Sequence, residues 1–116
     1  MKDLRICFVG DSFTNGTLDP SALGWAGRVC VQAVAAGHLL TYYNLGVRRE
    51  TSSEIMTRWL AEVRPRLPPG DDGRLVFSFG ANDTTIEDGR SRVPVEQSLT
   101  NAHAMLSEAA QRWPVL

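Results

Sequence analysis

Three times along this chain a short apolar run stops at a glycine. The runs are Leu4 to Val9 before Gly10, Leu39 to Leu45 before Gly46, and Leu75 to Phe79 before Gly80. Short runs of this kind, rich in β-branched and aromatic residues, read as strands buried on both faces. Stretches with helical spacing lie between them. Ser21 can cap a helix from Ala22 to Ala36 that Gly37 ends, with Trp25, Val29, Ala33 and Ala36 on its sheet-facing side. Thr51-Ser52-Ser53-Glu54 fits a capping box and opens a helix whose buried stripe is Ile55, Trp59 and Val63. Pro65, Pro68 and Pro69 stop that helix, and Gly70-Asp71-Asp72-Gly73 turns the chain. A third helix starts near Pro94 and shows Val95, Leu99, Ala102, Leu106 and Ala109 on one side. The order β-α-β-α-β-α implies a parallel sheet with right-handed crossovers and helices on its faces.

The 116 residues suit one domain, residues 1–116, with a modest core. A net charge of −1 carries no electrostatic footprint for nucleic acid. No apolar run approaches the ~20 residues that span a bilayer, and no signal-peptide core precedes the first strand. Cys7 and Cys30 lie in apolar segments without metal-site or CxxC spacing, as small buried hydrophobes would. A cytoplasmic protein is expected. Pro114-Val115-Leu116 reads as the opening of a fourth strand. A sheet ending there would be incomplete at its carboxyl end, and its open edge would invite self-association.

Parallel strands deliver their carboxyl ends to one edge, where open α/β folds bind ligands. Gly10-Asp11-Ser12, Leu45-Gly46 and Gly80-Ala81-Asn82-Asp83 can therefore converge. Together they offer a hydroxyl nucleophile, a glycine N–H and a side-chain amide, the set that acyl transfer needs. The plainer reading makes Gly46 and Gly80 turn glycines and Asn82-Asp83 a helix cap. Other strand–glycine chemistries do not fit. The first loop has no GxxxxGK[ST], no GxGxxG and no GxSxG, and Phe13 stands where an aspartyl phosphotransferase would carry a second acid.

Gly10-Asp11-Ser12-Phe13 resembles the first block of the GDSL esterases, or SGNH hydrolases. Asn44-Leu45-Gly46-Val47 is similar to the second block and Gly80-Ala81-Asn82-Asp83-Thr84 to the third. Gly24-Trp25 also resembles the bacterial lysophospholipase-like members. The resemblance implies a flavodoxin-like α/β/α fold with a parallel sheet of about five strands. Here that sheet would be truncated after about three strands and three helices. It implies Ser12 as nucleophile, with the Ser12 and Gly46 N–H groups and the Asn82 amide as oxyanion hole. Asp11 and Asp83 take supporting roles in loop hydrogen bonding. It further implies hydrolysis of a small carboxylic ester or thioester through an acyl-Ser12 intermediate, with no cofactor and no metal. The family's general base is the histidine of a late DxxH block, which this sequence lacks. His38 is expected at the opposite end of the sheet and His103 in mid-helix. The chain alone is thus expected to be nearly or wholly inactive; the alternative is a non-enzymatic α/β interaction module.

Overall fold

The computed structural model describes residues 3–116. Strand β1 (Asp3–Gly10) lies between β2 (Leu39–Gly46) and β3 (Asp72–Ser78), all parallel, in the order β2-β1-β3. The register sets Gly10 beside Gly46 on one side and beside Ser78 on the other. All three strands therefore end level with one another. Val115 bridges in parallel to Leu75, and Phe77 N–H donates to the Leu116 carbonyl, so the expected fourth-strand segment lies beside β3.

The two faces of the sheet are covered unequally. On one, Cys7, Val9 and Leu75 pack with Ile55, Trp59 and Val63, and with Met105 and Ala109. Helices α3 (Ser52–Met56), α4 (Trp59–Val63) and α5 (Val95–Ala110) supply these partners. Burying each large apolar side chain there contributes about 1.5–3 kcal/mol. On the other face, Phe8 packs with Ala26 and Cys30 of α2 (Gly24–Ala35). Beside α2 runs an open apolar groove of about 450 Å³, lined by residues including Ile6, Phe8, Trp25, Val29 and Val76. Among the described residues no helix is long and apolar enough to cross a membrane.

Several elements differ from expectation, each for a local reason. The loop after Gly10 contains a helical turn, α1 (Ser12–Asn15), because the Asp11 carboxylate accepts the Phe13 N–H and caps it. Asp19, not Ser21, holds the start of α2: its carboxylate accepts the Ser21 N–H at 3.1 Å and the Gly24 N–H at 2.7 Å. Helix α2 meets the sheet through Ala26, Gly27 and Cys30, whose small size lets it come close, and Gly24 packs on Gly16 of the first loop, while Val29 is exposed. Trp25 still reaches the sheet, edge-on to Phe8 with ring centroids 5.5 Å apart.

The second helix follows its expected Ile55-Trp59-Val63 stripe, and its capping box is formed. It breaks, however, at Thr57-Arg58 into α3 and α4. Helix α5 buries Asn101, Met105 and Ala109 and exposes Val95, Leu99 and Leu106, because hydrogen bonds draw Asn101 inward. The charged segment after Asp83 contains a small hairpin, β4 (Ile86–Glu87) and β5 (Arg90–Ser91). Asp88 and Gly89, both with positive φ, make its turn.

Candidate active site

Each of the three glycine-ended strands contributes one loop to the same edge. Asp11 fixes the first. With its carboxylate on the Phe13 N–H, the chain turns tightly, and Ser12 becomes the first residue of α1. The N–H groups of a helix's first turn have no partner within the helix, so the Ser12 N–H is available to a ligand. Ser12 itself is half-buried, whereas Phe13 beside it stands in solvent.

The second loop is pressed against the first. A Cβ on Gly46 would stand 2.6 Å from the Asp11 carbonyl and closer still to Asn15 N, so only glycine admits this approach. Gly10 is confined in the same way, between the Ser78 carbonyl and the Thr14 hydroxyl. Asn44 fastens the two loops, its amide donating to the Thr14 carbonyl at 2.8 Å. Its other side-chain atom, Oδ1, accepts the Gly46 N–H at 3.0 Å. An oxyanion would therefore have to share the Gly46 N–H with Asn44. The sequence reading of a free Gly46 donor did not include this.

Asn82 and Asp83 lie in the third loop, in the 3₁₀ turn Asn82–Thr84. The Asn82 amide donates to the Glu50 carbonyl at 2.9 Å, which ties this loop to the segment after Gly46. One of its two N–H bonds remains for another acceptor. Asp83 is buried, and its carboxylate accepts the Ser52 N–H at 2.7 Å, the Ser52 hydroxyl at 2.5 Å and the Ser98 hydroxyl at 2.6 Å. Asn101 extends this network by donating to the Ser52 and Ser53 hydroxyls, each at 2.9 Å. Asp11 and Asp83 thus both hold loops in place. Asp83 does so far from its own segment, joining the third loop to the starts of α3 and α5.

The two histidines lie elsewhere. His38 directly precedes β2, whose first residue pairs with Asp3, so it stands at the edge opposite Ser12. Eight residues of strand separate the two edges, or about 26 Å at ~3.3 Å per residue. His103 is exposed on α5, two residues from both Asn101 and Met105 and hence off the buried face. Among the described residues no three of His, Cys, Asp and Glu gather as metal ligands. Burial pushes the Cys7 thiol up to about 12 and raises that of Cys30. Hydrogen bonds from the Ser21 and Gly24 N–H groups hold Asp19 below the usual carboxylate range.

Residues missed by sequence reasoning are those that join the loops: Asn44, Glu50, Ser52 and Arg58. Asn44 alone carried a signal, its place in the strand-end block. Solved structures with the same fold include the SGNH-hydrolase esterase AlinE4, at 18% identity and a TM-score of 0.78 over 99% of this chain. Another is the psychrotrophic esterase EstA from Pseudoalteromonas sp., at 20% identity and a TM-score of 0.73 over 92% of the chain. A third, the lipase/acylhydrolase from Enterococcus faecalis, is 25% identical with a TM-score of 0.66 over 93% of the chain. The chain spans 58%, 54% and 52% of these structures, respectively. No curated protein matches the sequence. Residues 8–116 match the GDSL-like Lipase/Acylhydrolase family, the assignment to which the serine, glycine and asparagine loops pointed, and the chain belongs to that family.

Proposed function

We propose that the protein is a serine esterase in which Ser12 attacks the carbonyl carbon of a small carboxylic ester or thioester. The Ser12 Oγ–carbon bond forms as the carbonyl π bond opens, leaving negative charge on oxygen. The Ser12 N–H, the Gly46 N–H and the free N–H of the Asn82 amide stabilise that charge. An unshared donor of this kind typically contributes about 2.7–4 kcal/mol, and the Gly46 N–H, shared with Asn44 Oδ1, contributes less. The serine proton passes through a general base to the departing alkoxide or thiolate, and the acyl group stays on Ser12. Water then attacks the acyl carbon and gives its proton to the base, the bond from that carbon to Ser12 Oγ breaks, and Oγ takes the proton back as the acid leaves.

The observation carrying this reading is the close seating of Gly46 on the Asp11–Asn15 turn, a contact that excludes any side chain. Family membership supports the reaction class. EstA has been obtained inhibited by monoethylphosphonate, a tetrahedral group of the kind that serine esterases stabilise. His38 and His103 do not serve as base, being at the far edge and on the outer side of α5. On this reading the 116-residue chain alone is nearly or wholly inactive until a base is supplied.

The test supplies a base from solution. Hydrolysis of p-nitrophenyl acetate is followed over a range of imidazole concentrations, for the chain and for Ser12→Ala. The difference between the two should grow with imidazole, since imidazole's own catalysis is common to both. No difference at any concentration would refute Ser12 as nucleophile. Fast Ser12-dependent turnover without imidazole would refute the claim about the base.

The open apolar groove beside α2 favours a second reading, an α/β interaction module that associates with a copy of itself. Sedimentation equilibrium separates the two: a monomer at micromolar concentration excludes it.

A further inference from the structure

Arg58 stands at the break between α3 and α4, and its own backbone is not helical (φ −126°, ψ −26°). The break turns its side chain back beneath the sheet edge, where the guanidinium makes three contacts. Nη2 donates to the Gly10 carbonyl at 3.0 Å. Nε donates to the Glu50 carboxylate at 2.5 Å, and Nη1 to that of Glu62 at 2.7 Å. The side chains of Arg58 and Glu50 are only 15% and 17% exposed, so this pair is shielded from the solvent that weakens surface pairs.

Two of these contacts lead to loops of the candidate site, whereas Glu62 lies one turn along in α4 and holds the guanidinium in place. Gly10 immediately precedes Asp11-Ser12, and its carbonyl also accepts the Val47 N–H at 3.0 Å, next to Gly46. Glu50 holds the third loop, because its main-chain carbonyl accepts one N–H of the Asn82 amide. A carboxamide NH₂ is planar, so fixing one N–H on Glu50 sets the direction of the other. Arg49 beside it has φ +68°, a conformation uncommon for a side-chain-bearing residue, and its carbonyl is held by Arg92 Nη1 at 2.7 Å. The segment carrying Glu50 is thus pinned from both sides, with Arg58 on the inner one.

We propose that Arg58 is a positioning residue for the Ser12 site, its single guanidinium setting the spacing between the nucleophile turn, the Gly46 loop and the Asn82 amide. This rests on the esterase reading for its catalytic consequence, but the structural linkage stands apart from it. Arg58 touches no reacting atom. A planar fork with several donors in fixed directions can hold a carbonyl and two carboxylates at once, which the single ammonium of lysine cannot do in the same geometry. A misplacement of ~1 Å in such a site costs about 10²-fold in rate.

The test uses the ¹⁵N-labelled 116-residue chain and the variants Arg58→Met, Arg58→Lys and Arg5→Met. Arg5 pairs with Asp71 at 3.2 Å, towards the other end of the sheet, and serves as control. Arg58→Met should shift the NMR signals of the Val47 and Gly46 N–H groups and of the Asn82 side-chain NH₂. The Trp59 indole signal should stay in its folded position. Arg58→Lys should leave the Asn82 signal displaced, and Arg5→Met should move none of the three. In the imidazole-assisted assay the Ser12-dependent rate should fall about 10²-fold at unchanged KM. Should Arg58→Met not fold, Glu50→Gln keeps the shape while removing the charge pair, and it should shift the Asn82 signal. Wild-type Asn82 and Gly46 signals in Arg58→Met, or in Glu50→Gln if that is the variant read, would overturn the proposal. Failure of Ser12→Ala to change the rate would overturn the esterase reading and leave the NMR result to decide Arg58.

Discussion

Replacing Asp83 tests how the third loop is held. Its buried carboxylate accepts from the Ser52 N–H, the Ser52 hydroxyl and the Ser98 hydroxyl. Asp83→Ala removes all three acceptor contacts. Ser98 is half-buried and can bond to water instead, but Ser52 is fully buried. Its N–H loses its acceptor, and its hydroxyl keeps only the Asn101 amide as a donor. Two unsatisfied buried groups cost ~1–3 kcal/mol each. Recovering the hydration cost of a buried carboxylate offsets part of that. The net loss should be about 2–4 kcal/mol, a large share of the ~5–15 kcal/mol that holds a domain together. Asp83→Asn retains an oxygen for the Ser52 N–H, and the hydroxyls can reverse to accept from its amide, so it should cost ~1–2 kcal/mol. Urea unfolding followed by tryptophan fluorescence and far-UV circular dichroism gives both numbers, provided the two transitions coincide. In a double-mutant cycle, Asp83→Ala with Ser52→Ala should cost less than the sum by ~1–3 kcal/mol, since both remove one shared contact. An Asp83→Ala loss below ~1 kcal/mol at unchanged m, with additive doubles, would refute this account of the network.

Three further outcomes follow from the same structure. Gly46→Ala should displace the Asp11–Asn15 turn and abolish Ser12-dependent hydrolysis, because its methyl would collide with Asn15 N and the Asp11 carbonyl; wild-type rates would contradict this. Cys7, with its thiol pushed up to about 12, should stay unmodified by iodoacetamide at pH 8 in the folded chain and react once urea unfolds it. Asp19 has a lowered folded pKa, so its stabilising contribution is complete above the unfolded value near ~3.9 and is lost as pH falls through the folded one. The stability gap between wild type and Asp19→Asn, measured by urea unfolding, should therefore be widest above pH 5 and shrink in acid.

What could be read from the sequence was whatever local chemistry decides. The three strands, the Thr51–Glu54 capping box and the Ile55-Trp59-Val63 stripe each depend on residues within a few positions of one another, and all are formed. The loops carrying Ser12, Gly46 and Asn82 were legible because parallel strands must end on one edge. The faces of α2 and α5 were not. Hydropathy favours the bulky Val29 and Leu99, whereas close packing uses Ala26 and Cys30, and hydrogen bonding turns Asn101 inward. The Asp88-Gly89 hairpin did carry a turn signal, but its strands of two residues each are too short to show alternation. Arg58 carries no signal of this kind in its neighbours. Its contact with Gly10 lies 48 positions away and depends on the break at Thr57-Arg58, which no local pattern announces.

The central claim is that Ser12 accepts an acyl group at the edge where the three loops meet. The most direct measurement is peptide mapping by mass spectrometry after the chain has been mixed with p-nitrophenyl acetate and imidazole and quenched in acid. The account predicts one acetyl group on Ser12 and none at that peptide in Ser12→Ala. Acetyl groups on Lys2, His38 or His103 with Ser12 unmodified would contradict it.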